Sequence, residues 1–459
     1  MLNKKNNTSP TDVIIVGAGL AGLTAARQLT RQGISVQVFE ACDHVGGRMF
    51  DYQSKFGHIF QLGAEWLGPD EERLNALLTE LGLETTPQYQ AGDTILRLKG
   101  KQIRFDGSKT IATGPLPLPS QNLSDNFLFA LERLNTLCEQ VPLDHPEEAT
   151  HAIKWDSISV AEWCQQHIST KKDQALFNLI VEIEMGVPLE QLSFLYYLFV
   201  RHAIHKRIID DRRVKGGVQQ ICHLLAEKLI PQVQLENAVQ TIQQNEKGVR
   251  VQSKIGCFFA NYVIVTVPPK PALEITYQPA LSKARSHLLS SLTLSQMIKC
   301  IIVYDTPFWR QAGLNGLIMS DTGPLKVISD CSPMNSSQGA LVGLSSSKVI
   351  HKLSQESQQA RQAVILEQLT ECLGSQAAQP LEYIEQDWFS FPWTKGAYFP
   401  NMPPNIMTTY GKSLREPVGR IHWAGTETAT LWMGSMEGAI RSGERAAQEV
   451  LTRLQRNKS

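Results

Sequence analysis

The sequence has no excess of charge of either sign and no long hydrophobic run. Lysine plus arginine and aspartate plus glutamate number 44 each in 459 residues, so no global field recruits nucleic acid or an acidic membrane. No apolar stretch approaches the roughly 20 residues that a bilayer-spanning helix needs. The N-terminal residues MLNKKNNTSPTD contain neither an apolar core nor a small-residue cleavage site. We therefore expect a soluble cytoplasmic protein that binds no nucleic acid and no membrane.

Cysteines are few and scattered. They form no CxxC pair and no spacing typical of zinc ligands or of a disulfide framework. The eight cysteines are Cys42, Cys138, Cys164, Cys222, Cys257, Cys300, Cys331 and Cys372. We expect buried free thiols in a reducing compartment and no metal site.

The sequence does contain a glycine turn between an apolar run and a helical pattern. Val13 to Val16 indicate a buried parallel strand, and GAGLAG, residues 17–22, follows directly. In a dinucleotide-binding turn Gly17 permits the tight turn, Gly19 lets the backbone approach a pyrophosphate, and Gly22 lets the helix pack on the strand. The phosphates are then stabilised at the positive end of the helix.

A second strand and an acidic residue follow this turn at the spacing of a nucleotide-binding motif. The strand Ile34 to Phe39 ends at Glu40, whose carboxylate can accept hydrogen bonds from an adenosine ribose. The spacing suits either NAD or FAD, and a glycine triplet by itself often serves packing alone. GGR at residues 46–48 favours FAD, because a second glycine turn and a guanidinium can meet a cofactor that extends beyond its pyrophosphate.

Two motifs carry a resemblance to a known family. The DHVGGR run, residues 43–48, resembles the FAD-binding amine oxidase superfamily. WAGTETATLWMGSMEGAIRSGERAA, residues 423–447, is similar to the C-terminal FAD motif of the flavin monoamine oxidases. The likeness extends from Asp12 to Leu451, and its weakest part is the middle of a helical insert that spans residues 122–197. The resemblance implies a soluble, bacterial-type member of the family with bound FAD.

The order of elements predicts an α/β fold in which a Rossmann-like, GR2-type FAD-binding domain is interwoven with an α+β substrate domain. Helical patterns cover residues 122–140 and 155–197, and the apolar run NYVIVTVPP, residues 261–269, predicts a strand of the first sheet that ends at two prolines. We assign residues 1–84, 214–288 and 391–459 to the FAD-binding domain. Residues 85–213 and 289–390 form the predicted substrate-binding domain.

The resemblance implies cofactor contacts beyond the glycine turns. Gly63 and Ala64 match the strand end under the flavin ring, Glu427 matches an acid near the ribityl chain, and Val239 falls where backbone groups read adenine. The full predicted set is Gly17, Gly19, Leu20, Ala21, Gly22, Glu40, Ala41, Gly46, Gly47, Arg48, Gly63, Ala64, Glu65, Trp66, Val239, Gly425, Thr426, Glu427, Ser435 and Met436.

The start of the C-terminal helix also predicts a cofactor contact. Gly434, Ser435 and Met436 would leave free backbone N–H groups at the positive end of the helix dipole. Such donors would stabilise a flavin N1–C2=O group that becomes anionic on reduction.

Three residues match catalytic positions of the family. Lys299 matches a strand lysine that holds a water against flavin N5, Trp388 matches a tryptophan beside the isoalloxazine edge, and Tyr398 matches one wall of an aromatic cage. From the sequence alone, Lys299 could instead extend to solvent, since a buried ammonium is costly without a partner. Trp388 and Tyr398 could be ordinary core residues.

Two departures from the family pattern change the expected site. Ala397 stands where the mitochondrial monoamine oxidases carry the cysteine that is linked covalently to the flavin, so FAD should be bound non-covalently here. Ser435 stands where those enzymes place the opposite tyrosine of the cage. The missing ring widens the expected cavity and puts a purely arylalkylamine specificity in doubt.

The charge of the substrate can also be argued. Related L-amino-acid oxidases have an arginine in the segment that reads GAEWLGP here, so we expect Glu65 to repel acids and attract cations. Glu182 and Asp210 fall in stretches that border the cavity in the family, and either could anchor a second amine or simply be solvated. The predicted substrate contacts are Trp66, Ile180, Asp210, Tyr398 and Ser435.

These residues predict an FAD-dependent amine oxidase. The expected reaction converts a primary or secondary amine to an imine and then an aldehyde, with dioxygen reduced to hydrogen peroxide. No general-base signature lies near the motifs, so the amine should react in its neutral form, which an apolar pocket favours. The alternatives are a diamine or polyamine oxidase, a dehydrogenase or desaturase with another electron acceptor, and a flavin-carrying interaction module without a substrate.

Overall fold

The computed structural model describes residues 11–107, 110–112, 117–119, 123–204, 211–230, 232–345 and 347–456. The chain forms two compact units. The first comprises Met1–Met49, Gln219–Ser291 and Lys412–Ser459, and the second comprises Phe50–Val218 and Leu292–Gly411. The predicted boundaries differ mainly at residues 50–84 and 391–411, which belong to the second unit. The assignment of a function to each piece stays a prediction.

The first unit is built on a mostly parallel central sheet. Its apolar strand Thr11–Val16 pairs in parallel with Val36–Phe39 on one side and with Gly256–Val265 on the other. The spatial order is Val233–Gln234, Val36–Phe39, Thr11–Val16, Gly256–Val265, Gly248–Ser253, Val239–Asn245 and Thr276–Gln278, and Ile421–Trp423 also pairs with Gly256–Val265. The predicted strand before the two prolines is thus confirmed as part of this sheet.

Among the residues that the structure describes, five helices accompany this sheet. They are Leu20–Arg31, Gln219–Glu227, Pro269–Glu274, Lys283–Ser291 and Met436–Arg456. The first and last pack closely, since a Cβ on Gly443 would lie 2.4 Å from the Ala21 carbonyl oxygen. Pro269 begins a short helix, because proline is well tolerated in a first helical turn.

The second unit contains a seven-stranded sheet. Its spatial order is Glu382–Asp387, Ile298–Tyr304, Gly339–Ser345, Leu325–Asp330, Leu314–Ser320, Asp93–Leu98 and Lys101–Asp106. Both faces of the strand Ile298–Tyr304 are buried. Cys300 and Ile302 pack against the helix Gln358–Leu373, whereas Ile301 and Val303 pack with Phe60, Leu62 and Trp66 on the opposite face.

Smaller sheets and helices complete the second unit. One sheet has three strands, in the spatial order Trp66–Leu67, Arg212–Val214 and Thr85–Pro87. Two-stranded pairs are Asp51–Gln53 with Ile59–Gln61, Thr110–Ala112 with Pro117–Pro119, and Thr293–Leu294 with Pro400–Asn401. The helices are Glu72–Leu81, Asp125–Cys138, Ala152–Asp156, Val160–His167, Lys171–Met185, Phe194–Ile204, Phe308–Gln311, Ser347–Leu353, Gln358–Leu373 and Met407–Tyr410.

A helix with both the length and the apolar character needed to cross a membrane does not occur among the described residues.

Candidate active site

The first glycine turn has the geometry that its spacing predicts. Gly17 has a φ of +105°, and a Cβ there would lie 2.7 Å from the Thr266 hydroxyl oxygen. A Cβ on Gly22 would lie 2.0 Å from the Gly17 carbonyl oxygen. The protein's own packing therefore requires glycine at both positions.

Gly19 differs from these two glycines. Its φ of −74° suits any residue, and an added Cβ would meet only the Gly46 carbonyl oxygen, at an ordinary 3.8 Å. The helix Leu20–Arg31 that follows has no side-chain cap and no acidic residue in its first turn. Open space over a glycine and uncapped N–H groups at a positive helix end fit a pyrophosphate.

The second glycine turn lies against the first. The Gly46 N–H donates to the Ala18 carbonyl oxygen at 3.0 Å, and Gly19 and Gly46 form an isolated parallel bridge. Gly46 and Gly47 have φ values of +121° and +58°, in the region that favours glycine. The structure therefore brings together two motifs that are separated in sequence, the dinucleotide-binding turn and the GGR turn that favours FAD.

Glu40 links the first turn to the end of the second strand. Its carboxylate accepts hydrogen bonds from the Ala18 N–H at 2.7 Å and the Cys42 N–H at 2.9 Å. Burial, and next the Glu40 charge, raise the pKa of the Cys42 thiol to about 12. Both carboxylate oxygens already hold backbone groups, and the predicted ribose contact stays a prediction.

The segment that is predicted to contact adenine lies beside this acid. The Asn237 N–H donates to the Glu40 carbonyl oxygen at 2.7 Å and the Glu236 N–H to that of Cys42 at 2.8 Å. These bonds place the backbone that leads to Val239 alongside Ala41.

The C-terminal motif meets the second glycine turn through an ion pair. Arg48 Nη2 lies 2.7 Å from Glu427 Oε1, and the Glu427 side chain is buried. Gly425, which precedes this acid by two residues, has a φ of +105°. The predicted cofactor residues of three separate motifs thus converge within the first unit.

Ser435 caps the C-terminal helix, and this corrects one expectation. Its N–H donates to the Trp432 carbonyl oxygen at 3.1 Å and is therefore not free. Its hydroxyl accepts from the Gly438 N–H at 3.2 Å, as an N-cap serine does. Thr426 Oγ1 donates to the Ser435 carbonyl oxygen at 3.0 Å, one residue before Met436 begins the helix.

In the second unit, Lys299 is buried and makes two hydrogen bonds. Only 3 % of the residue is exposed, so the interpretation in which it extends to solvent is wrong. Its ammonium donates to Glu65 Oε2 at 2.6 Å and to the Gly63 carbonyl oxygen at 2.9 Å. It also lies 5.0 Å from the centre of the Trp66 ring, a cation–π distance.

Arg213 completes a buried group of charges, here called the lysine cluster: Lys299, Glu65 and Arg213. Arg213 pairs with Trp66 across two antiparallel strands, and its Nη1 lies 3.6 Å from Glu65 Oε1. The Cys331 thiol is a near neighbour, and burial, followed by the Glu65 charge, raises its pKa well above the ordinary value. Two cations and one anion leave the lysine cluster with a net positive charge.

The Glu65 charge is paired within the protein, which weakens the reason for expecting Glu65 to attract cationic substrates. In the segment 63–66 the other three residues are partly exposed, whereas Glu65 is 3 % exposed and points at Lys299. Its charge is compensated twice within the protein. The sequence shows that residue 65 is an acid, but it does not show that Lys299 and Arg213 lie beside this acid and neutralise its charge.

The two predicted aromatic residues are fixed by backbone carbonyl groups. Trp388 is buried and its Nε1 donates to the Leu62 carbonyl oxygen at 2.8 Å, next to the Gly63 oxygen that receives Lys299. The Tyr398 hydroxyl donates to the Ile183 carbonyl oxygen at 2.6 Å. Ile183 lies on the helix Lys171–Met185, and the predicted substrate residue Ile180 is buried on this helix, about one turn before Ile183.

The remaining predicted substrate residues have different outcomes. Glu182 is buried, with Lys326 Nζ 3.9 Å from its carboxylate, so it is not a solvated residue. Asp210 lies outside the described residues.

Sequence reasoning missed Arg213 and Thr266 as neighbours of predicted site residues. The Thr266 hydroxyl donates to the Val16 carbonyl oxygen at 2.9 Å, beside the first glycine turn. No local pattern marks either residue, because Arg213 lies on a strand and Thr266 directly after a strand, and both are far away in the sequence from the residues they contact. Ser435 did carry a signal, since serine directly before a helical pattern is a common N-cap.

Comparisons with known proteins agree with this arrangement. Residues 20–451 match the family described as flavin containing amine oxidoreductase. The chain is 34% identical over 449 residues to an L-amino acid dehydrogenase of Synechocystis sp., covering 97% of this chain and 95% of the relative.

Two solved structures are also similar over nearly their whole length. A putrescine oxidase bound to putrescine has a TM-score of 0.89 at 30% identity, covering 97% of this chain and 99% of the other. Cyclohexylamine oxidase from Brevibacterium oxydans has a TM-score of 0.90 at 29% identity, covering 97% and 100%. The chain therefore belongs to the flavin containing amine oxidoreductase family, and it is an FAD-dependent oxidoreductase that acts on amines.

Proposed function

We propose that this protein is an oxidase of amines that carry a single cationic group, with non-covalent FAD as its cofactor and dioxygen as its electron acceptor. Bound FAD supplies the two-electron acceptor for oxidation of the carbon–nitrogen bond. The open space over Gly19, the uncapped N–H groups of the helix Leu20–Arg31 and the Arg48–Glu427 pair support the predicted cofactor contacts.

The residues of the second unit would orient the amine and keep it neutral. Hydrogen bonds to main-chain carbonyls hold the rings of Tyr398 and Trp388, so each presents a fixed aromatic surface. Of the two cations in the lysine cluster, Lys299 is the one that the family resemblance assigns to flavin N5. A positive charge near an entering amine also favours the neutral form of that amine.

One observation favours monoamines over diamines. The two described carboxylates that could have anchored a second ammonium, Glu65 and Glu182, are both buried beside cations. An additional ammonium would thus gain little from either.

Steady-state peroxide formation with butylamine and putrescine, which differ by one amino group, tests this preference. We expect a kcat/KM at least about tenfold higher for the monoamine, equivalent to about 1.4 kcal/mol. A clear preference for putrescine would overturn the assignment to monoamines.

A second candidate, oxidation of an α-amino acid, is favoured by the net positive lysine cluster and by the similarity to an L-amino acid dehydrogenase. Phenethylamine and L-phenylalanine differ by one carboxylate and separate the two candidates. Faster flavin reduction by the amino acid would replace the amine assignment. Reduction of an added dye without peroxide would identify a dehydrogenase.

The flavin should be released intact when the protein is denatured. Ala397 offers no nucleophile at the position that carries the covalent cysteine in the mitochondrial enzymes. After acid precipitation we expect all of the yellow absorbance in the supernatant. Colour that stays with the precipitated polypeptide would contradict the inference.

Placing a ring at position 435 should narrow the substrate range. The substitution Ser435→Tyr is expected to shift kcat/KM towards slim arylalkylamines and away from bulky amines by about tenfold. It also removes the hydroxyl that caps the Gly438 N–H, which costs about 1 kcal/mol of stability. Ser435→Ala loses the same cap without adding a ring, so it should lower stability equally and leave the preference unchanged. Equal substrate profiles for the two variants would show that position 435 does not face the substrate.

A further inference from the structure

The Lys299 ammonium is held by an acid that the family resemblance does not assign to catalysis. Of its three N–H groups, two donate to Glu65 Oε2 and to the Gly63 carbonyl oxygen. The Trp66 ring lies on a further side. With so many contacts on a buried strand, the position of the ammonium is set by its partners rather than by its flexible stem.

Glu65 is in turn held between two cations. Its Oε2 contacts Lys299 at 2.6 Å, and its Oε1 lies 3.6 Å from Arg213 Nη1. Within the described residues, Oε1 makes no hydrogen bond. Arg213 is fixed by its strand pairing with Trp66 and by a 3.4 Å hydrogen bond to the Ser332 carbonyl oxygen.

A purely structural role explains this arrangement poorly. Burying three charges costs several kcal/mol for each ion, and an apolar group of similar volume often stabilises a protein as well or better. Without Glu65, the Lys299 ammonium would lie in a low-dielectric interior near the Arg213 guanidinium. Repulsion between the two cations would then displace the ammonium from this position.

We propose that Glu65 is a positioning residue that fixes the Lys299 ammonium in place, and that Arg213 holds Glu65 in position for this role. The inference rests on the proposed function in one respect, the assignment of Lys299 to flavin N5. Glu65 acts only through the lysine. Its effect on the flavin must therefore vanish when the lysine is absent.

Sulfite binding to the FAD-loaded protein tests this coupling without any amine. Sulfite is an anion that adds to flavin N5, so a nearby fixed cation strengthens its binding. We expect Glu65→Gln to raise the sulfite dissociation constant about tenfold, equivalent to about 1.4 kcal/mol. In the Lys299→Met background, the same change should alter the constant by less than about twofold.

Glu385→Gln is the matched control. Glu385 is an acid of the same sheet whose side chain is 7 % exposed and is paired with Arg361. Its strand partner Cys300 lies on the opposite face from Lys299. The control should leave sulfite binding unchanged. If Glu65→Gln does not hold FAD, Glu65→Asp keeps the charge but shortens its reach, and it should weaken sulfite binding about threefold only when Lys299 is present.

An equal effect of Glu65→Gln in both backgrounds, or no effect in either, would overturn the proposal. Unchanged sulfite binding in Lys299→Met alone would also overturn it, because the lysine would then not act at the flavin. If the variants bind sulfite as expected but the protein oxidises no amine, the proposed substrate is refuted and the role of Glu65 stands.

Discussion

Replacing Lys299 by methionine is expected to leave a folded protein that binds FAD but whose flavin is reduced by amine, or reoxidised by oxygen, about a hundredfold more slowly. A charged donor at a reacting centre is worth about two to four kcal/mol. The fold should survive, because methionine fills the buried strand position and Glu65 keeps Arg213 as an ion-pair partner. Stopped-flow absorbance of the flavin in each half-reaction measures the effect.

Cys300→Ala provides the control for this substitution. Cys300 is the next residue of the same strand and packs on the opposite face, against the helix Gln358–Leu373. Both half-reactions should stay within about twofold of the wild type. Unaltered kinetics in Lys299→Met would remove the lysine from the site, whatever its similarity to the family position.

Gly19 and Gly22 of the first turn are expected to respond differently to alanine. Gly19→Ala should lower the stability of the apoprotein by less than about 1 kcal/mol, because its Cβ meets no atom closer than 3.8 Å. It should nevertheless weaken FAD binding about a hundredfold, equivalent to about 2.7 kcal/mol, because the methyl group occupies the space proposed for the pyrophosphate.

Gly22→Ala should instead disrupt the fold. Its Cβ would lie 2.0 Å from the Gly17 carbonyl oxygen, so the helix must move from the strand at a cost of about 3 kcal/mol. Denaturant unfolding of the apoproteins and FAD titration followed by flavin fluorescence measure both quantities. Normal FAD affinity in Gly19→Ala would show that the cofactor does not approach this turn.

Local patterns predicted the elements whose causes are local. The apolar run before Gly17, the glycine spacing and the helical periodicity after it depend on neighbouring residues, and the structure confirms them. The hairpin Asp93–Leu98 with Lys101–Asp106 was not predicted, although its sequence carried a signal. Lys99 and Gly100 form a two-residue turn with φ values of 50° and 74°, typical of a type I′ hairpin.

The charges of the site could not be predicted in the same way. Lys299 and Glu65 are separated by 234 residues, and no period or spacing connects them. The residue types indicated one buried cation and one acid, and only the pairing of strands shows that these charges compensate each other. Predictions of substrate charge from an isolated acid are therefore weaker than predictions of a cofactor from a turn.

Anaerobic mixing of the FAD-loaded protein with a panel of monoamines tests the central claim most directly. We expect at least one amine to bleach the yellow flavin absorbance, with a rate that rises with pH as the amine, whose pKa is about 10, loses its proton. Admission of oxygen should then restore the colour and form peroxide. A flavin that stays oxidised with every amine would contradict the assignment as an amine oxidase.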